Sequence, residues 1–439
     1  MNAVRLRARW VVPIVTAPIP DGAVLVSSAG RIAAMGPDSS VPKPEHTEAI
    51  DLGDVALLPG LVNTHAHLEL TALRGLVTEQ PFARWIARIK KLGESLTPDV
   101  FRAGARWGVL ESYAHGITTT GDTGRTGESA RAMADLGMRG VAYQEVFGPD
   151  PAQLDASLQG LQAALKSLDP CASERLAIGV SPHAPFTVSD NLLAAVGSLA
   201  HIQARPIAMH VAESHEEMQY LLDGHGPLAD NLRGRGIHVA ARGKTPVRWA
   251  LEGGLEPLAP LLIHCVHADK RDYAAIAACG GSVAHCPISN QLLGNGRADL
   301  MLMKEAGACV GLGTDSVAAG NSLDLFAEQR AAGVGLPLTP NERLRLFTAD
   351  AADALGVGGA GRLELGAWAD LVAISLKEKA LATAHEIEGA IAAAATAEHV
   401  LATWVEGQLV YREGRWPGLN ADAERAAYER AAEAARATA

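Results

Sequence analysis

The stretch Pro59-Gly60-Leu61-Val62-Asn63-Thr64-His65-Ala66-His67 opens as an apolar strand and closes on two histidines one residue apart. Residues two apart on a strand share a side, so both imidazoles face the same way. Two neutral imidazoles side by side suit a borderline divalent ion such as zinc. An HxH pair alone is a weak signal. Later apolar runs give it weight, because they end in His210-Val211-Ala212-Glu213, in His264 and in Thr314-Asp315. Four separate strand ends thus deliver His65, His67, His210, Glu213, His264 and Asp315 to one rim.

The runs that carry these ends belong to a repeating unit of short apolar strand, polar break and helical stretch. Eight such strands are predicted, near residues 55–62, 117–122, 140–147, 176–182, 206–212, 261–266, 281–286 and 308–313. Each is short and most are largely apolar, as a strand buried on both faces should be. Eight β-then-α units over about 300 residues predict an α/β fold, a (β/α)8 TIM barrel with insertions. The largest insertions, near 70–96 and 214–256, come after the first and fifth strands, on the face where barrel active sites form. Alternating strands also appear at both ends of the chain, at 3–12, 22–27, 369–374 and 400–411, and predict one small β-sandwich domain assembled from the two termini. The expected division is therefore 1–55 and 359–420 for the small domain, 56–358 for the catalytic barrel and 421–439 for a helical tail. That tail reads as a solvated or subunit-packing helix; the second reading leaves a homodimer open.

Composition narrows the partners. A net charge of −11 argues against nucleic acid, which is held by clustered Lys and Arg. No run approaches the roughly 20 apolar residues of a membrane span. The first 18 residues are interrupted by Arg5, Arg7 and Arg9 and do not read as a secretion signal. Five cysteines, at 171, 265, 279, 286 and 309, form no CxxC pair and predict a reducing, cytoplasmic setting. Cys265 and Cys286 each come directly after a histidine, so alternation turns them into the core.

The sequence resembles the amidohydrolase superfamily, in its branch of cytosine, guanine and adenosine-type deaminases and triazine hydrolases. The matching pieces are 59–67, 210–213, Leu262-Ile263-His264-Cys265, His285-Cys286-Pro287-Ile288-Ser289-Asn290, Gly311-Leu312-Gly313-Thr314-Asp315-Ser316, and the late Gly361-Arg362-Leu363-Glu364-Leu365-Gly366 with Ala369-Asp370-Leu371-Val372. The resemblance implies that His65, His67, His210 and Asp315 hold one divalent metal, zinc or alternatively iron. It makes His264 the contact to the metal's water and Glu213 the proton shuttle. A metal lowers the pKa of its water from 15.7 to about 7. Hydroxide then attacks the amine-bearing carbon while Glu213 protonates a ring nitrogen, and Asp315 orients and deprotonates the water. Two-metal relatives use a lysine at the fourth strand's end; here that strand ends Ser181-Pro182-His183, which favours one metal.

Further residues are read with alternatives. His183 is expected to touch the substrate ring or to be a structural loop histidine. Glu69, in Leu68-Glu69-Leu70-Thr71, binds ribose hydroxyls or a basic group of the substrate, or else pairs with Arg74. Trp85 covers the pocket or staples the insertion to the barrel. His285 is as well placed for the core as for the site, His267 is a backup for His264, and His115 is read as a helix cap. His46, His201, His215, His225, His238, His385 and His399 read as surface or loop. The loop after His67 resembles that of aminodeoxyfutalosine deaminases, so the expected substrate is a small molecule, an adenine-type nucleoside that loses ammonia. Gln144 and Glu145 stand where adenosylhomocysteine deaminases tend to carry Arg. The alternative is another bond hydrolysed at the same site, in a chlorotriazine or alkylaminotriazine, or in a cyclic amide.

Overall fold

Strands in this chain match the apolar runs closely. In the computed structural model, which describes residues 3–78, 80–382 and 386–439, the N-terminal ones are β1 (Val4–Val11), β2 (Ile19–Val26), β3 (Ile32–Pro37), β4 (Glu48–Asp51) and β5 (Val55–Pro59). The middle contributes β6 (Leu61–Ala66), β7 (Ile117–Gly124), β8 (Arg139–Val146), β9 (Leu176–Pro182), β10 (Ala208–Val211), β11 (Leu261–His264), β12 (Ser282–His285) and β13 (Cys309–Leu312). Late in the chain come β14 (Leu371–Ser375), β15 (Val400–Val405) and β16 (Gln408–Arg412). His385 lies outside the described residues.

Both ends of the chain share one eight-stranded sheet, in the order β16-β15-β14-β5-β1-β2-β3, with β4 also on β1. One sequence expectation is corrected here, the extent of the first barrel strand. The terminal strands expected as a small β-sandwich hydrogen-bond along a single connected path; alternation reveals which segments are strands but not which pair. The one strand expected over 55–62 is two. Val55–Pro59 pairs with β1 and β14, and the chain then turns at Gly60 into β6. A Cβ on Gly60 would lie 2.2 Å from the Thr118 hydroxyl oxygen, so no other residue fits this turn without displacing β7.

The middle strands form two four-stranded parallel sheets, β6-β7-β8-β9 and β10-β11-β12-β13. Single parallel bridges, Val180 to Ile207 and Ala66 to Asp315, lie between them. Val62, Val141 and Tyr143 from the first sheet pack in one buried cluster with Ala208, Leu261, Ile263 and Ala284 from the second. This α/β arrangement of parallel strands with intervening helices fits a TIM barrel. No described helix is long and apolar enough to cross a membrane.

A buried ion cluster ties the terminal sheet to the start of β8. Arg139, 1% exposed, donates from Nε to Asp370 at 2.7 Å and from Nη2 to Glu406 at 2.8 Å. Its guanidinium lies 4.0 Å from the Trp368 ring centroid. Breaking a buried pair leaves an uncompensated charge, which costs about 3–5 kcal/mol. Asp370→Ala is therefore expected to destabilise the fold by about that much in urea unfolding, towards the smaller figure because Glu406 still pairs with Arg139. A loss below about 1 kcal/mol would mean the cluster is dispensable.

The C-terminal helix, Ala421–Thr438, packs on its own chain. Glu424 meets Arg106 at 2.7 Å, and Tyr428 stacks on Trp107 with ring centroids 5.3 Å apart. Ala431 and Ala435 are buried, so the helix covers Pro98–Ala114 with a small-residue face.

Candidate metal centre and active site

The metal-ligand candidates converge where the parallel strands end. His65 closes on His67, His210 and His264 with ring centroids 4.8, 5.0 and 5.7 Å away. The Asp315 carboxylate lies 3.3 Å from His65 Nε2 and 3.6 Å from His67 Nε2. Ligand atoms of His65, His67 and His210, and of His65, His264 and Asp315, each fall within 4.8 Å of one another. Both ring nitrogens of His65 are buried without a hydrogen-bond partner. Such an orphaned polar group is costly to bury, and a divalent ion on Nε2 relieves it. The residues fit a metal.

Protonation states agree with that fit. Burial, with the neighbouring His65, pushes the His67 imidazole down to about 3. Burial and the surrounding histidines likewise hold His210 well below its ordinary value. These rings are neutral at pH 7, the form that ligates. Burial alone would raise the Asp315 carboxyl, but the close imidazoles of His65, His264 and His67 outweigh it and hold it low.

Outer partners fix the rings. His210 Nδ1 lies 2.9 Å from the His183 carbonyl and must donate to it, leaving Nε2 free towards the cluster. His264 Nδ1 lies 2.9 Å from Asn290 Oδ1, and its Nε2 is turned to within 3.7 Å of Glu213 Oε1. Ser289 donates to Asp315, and Asn295 Nδ2 donates to Glu213 Oε1 at 3.1 Å. One segment, the helix Pro287–Leu292 and the turn after it, thus orients Asp315, His264 and Glu213. In the sequence this segment carries part of the family motif but no assignable role; its signal is the polar Ser289-Asn290 pair beside an otherwise apolar strand end.

Glu213 is 5% exposed. Burial first, then the charges of Asp315 and Glu217, push its carboxyl well above the usual range. That shift favours the protonated form, the one an acid for a ring nitrogen needs. Ala212, His264 and Asp315 have left-handed backbones, φ 52°, 72° and 57°. Such conformations are costly for non-glycine residues and gather at functional sites.

The remaining candidates separate. His183 belongs to the cluster: its ring is 4.8 Å from His210 and 4.7 Å from Phe147, and Nδ1 bonds Thr187 at 2.9 Å. Glu69 is buried, but its carboxylate accepts from Arg125 N at 3.0 Å and from the Thr126 backbone and hydroxyl. The pairing with Arg74 is corrected, since Arg74 binds Glu111. Trp85 is buried and stacks beside Phe82, which meets Phe186, so it staples the insertion helix Phe82–Ser95. His267 faces His215, 5.9 Å away, rather than the cluster. His285 is fully buried with both ring nitrogens unpartnered, and burial together with His264 lowers it to about 3. His115 ends the helix Pro98–Ala114 through its backbone N–H. His399 is buried and caps its own turn through Thr396, against the surface reading. Cys265 and Cys286 are fully buried, as alternation required.

Residues 56–410 match the model of the amidohydrolase family. A 5-methylthioadenosine/S-adenosylhomocysteine deaminase of Natronomonas pharaonis is 30% identical, over 92% of this chain and 91% of that protein. Among solved structures, an adenosine deaminase from Xanthomonas campestris with bound zinc superposes with a TM-score of 0.87 at 25% identity, covering 99% of this chain and 98% of that one. Atrazine chlorohydrolase of Arthrobacter aurescens, complexed with zinc, shares the fold at a TM-score of 0.83 and 22% identity, over 98% and 100% of the two chains. The chain belongs to the amidohydrolase family, whose members are hydrolases, here one acting on carbon–nitrogen bonds.

Proposed function

We propose that the protein is a one-metal aminohydrolase that deaminates an adenine-type nucleoside, with aminodeoxyfutalosine the best single candidate. The observation that carries this reading is Glu213: a buried carboxyl 3.7 Å from His264, at the rim of a four-histidine, one-aspartate cluster. Two bridged four-stranded sheets support a closed (β/α)8 barrel around it, with the barrel beginning after Gly60 rather than at residue 56. The small domain then spans 1–59 and 359–420, and 421–439 forms the tail.

His65, His67, His210 and Asp315 would hold the metal, zinc or alternatively iron. When bound, the metal acidifies a coordinated water and supplies hydroxide near neutral pH. Asp315, kept ionised, accepts the proton released at that point. Glu213 donates its proton to the ring nitrogen next to the amine-bearing carbon; of the water's two protons, one leaves with the departing nitrogen as ammonia and the other, held first by Asp315, restores Glu213. His264 Nε2, its tautomer fixed by Asn290, faces the same space and accepts a hydrogen bond there. His183 meets the ring. We assign Glu69 to holding the loop at Arg125 and Thr126 rather than to the sugar. Five unpaired cysteines support a reducing, cytoplasmic location.

The test is comparative. kcat/KM is measured for aminodeoxyfutalosine, adenosine, methylthioadenosine, adenine, guanine, cytosine and a chlorotriazine at equal metal loading. A nucleoside is expected to win; sites built to hydrogen-bond a hydroxyl reject analogues lacking it by about 10⁴-fold. A free base or the triazine winning by about tenfold or more overturns the nucleoside while leaving the hydrolase.

A further inference from the structure

Glu145 sits at the end of β8 and has no role so far. Val141 and Tyr143, four and two residues before it, face inward in the cluster shared by both parallel sheets. Strand alternation therefore turns Glu145 inward too, one layer above Tyr143 and at the level of the metal ligands. Its side chain is 6% exposed, 4.0 Å from His183 Nε2. Oε1 is buried with no hydrogen-bond partner. Arg125, whose charge acts on Glu145, does not pair with it: that guanidinium donates to Gly93 O and lies over Phe101. Beyond Glu145, Phe147 is 39% exposed and packs on His183. A buried carboxyl oxygen without a hydrogen-bond partner is expensive in either protonation state. Beside an open aromatic face, it suits a ligand that brings hydroxyl donors on an apolar ring.

We propose that Glu145 is a specificity-determining residue that accepts hydrogen bonds from the ribose hydroxyls, with Phe147 covering the sugar's apolar face. This rests on the nucleoside reading above. The geometry admits a rival, because Glu145, His183 and His210 also place ligand atoms within 4.8 Å of one another. On that rival reading Glu145 would be a metal ligand.

The experiment compares adenosine, 2′,3′-dideoxyadenosine and 3′-amino-3′-deoxyadenosine in metal-replete wild type, Glu145→Gln and Glu145→Asp, read by ammonia release, with metal content determined for each protein. Wild type is expected to prefer adenosine over the dideoxy analogue by at least about 100-fold. Glu145→Gln should collapse that preference to below about tenfold, mainly through KM, at unchanged metal content, with Glu145→Asp intermediate. Equal preference in wild type and Glu145→Gln overturns the proposal, as does wild type treating adenosine and its dideoxy analogue alike; both leave the nucleoside reading standing. Metal lost from Glu145→Gln, or the amino sugar winning by about tenfold, also overturns it, in favour of a metal ligand or a cation site. Wild type that deaminates none of the three, while turning over a free base or triazine, overturns the nucleoside reading and this proposal with it.

Discussion

Glu213→Gln is expected to keep the metal and lower kcat by about 10²–10⁴-fold, the usual contribution of a positioned acid–base group. At 1.36 kcal/mol per decade, that is about 3–5 kcal/mol of transition-state stabilisation. The amide fills the same space, and its oxygen can still accept from Asn295, which holds Glu213 Oε1 at 3.1 Å. It carries no transferable proton. Burial raises the Glu213 carboxyl and so favours its acid form, and nothing at this spot replaces it: His264, 3.7 Å away, is lowered to about 4, mainly by burial, and is a neutral acceptor at pH 7. The measurement is steady-state turnover beside metal content and a melting curve. A variant retaining more than about a tenth of wild-type turnover would move the proton shuttle elsewhere.

The second large effect is on the metal. Wild-type protein purified mildly is expected to hold one equivalent of zinc or iron, and His65→Ala or Asp315→Asn to hold almost none and to lose turnover. Even outer partners of metal ligands change affinity by about 10–100-fold when removed; a ligand is worth more. Asn290→Ala, which removes only the acceptor on His264 Nδ1, serves as the graded control: it is expected to cost less affinity than either ligand variant. Elemental analysis decides. Two equivalents in wild type would refute the one-metal reading, which rests on β9 ending in Ser181 and Pro182 with His183 after it, and no lysine. Metal retained in His65→Ala would remove His65 from the ligand set.

Most of this architecture was legible in the chain itself, because periodicity is a local property. Strands buried on both faces are mostly apolar, so most of β6 to β13 stood out as runs, and their polar ends, His65 and His67, His210 and Glu213, His264, Thr314 and Asp315, stood out against them. The spacing of those ends along the sequence, with their order, sufficed to nominate the metal cluster. What only the tertiary structure decided are contacts between segments far apart in sequence. Glu69 reads as a substrate residue until Arg125 and Thr126, more than fifty positions later, are seen to occupy its oxygens. Ser289, Asn290 and Asn295 acquire roles only because their helix and the turn after it lie over three other strand ends. Pairing of β5 with β14 rather than continuation into β6 is settled by sheet neighbours over 300 residues away. The left-handed turns at Ala212, His264 and Asp315 re-aim side chains against the period-two rule that alternation relies on. Alternation encodes which face a residue occupies; which partner waits on that face is encoded by the rest of the chain.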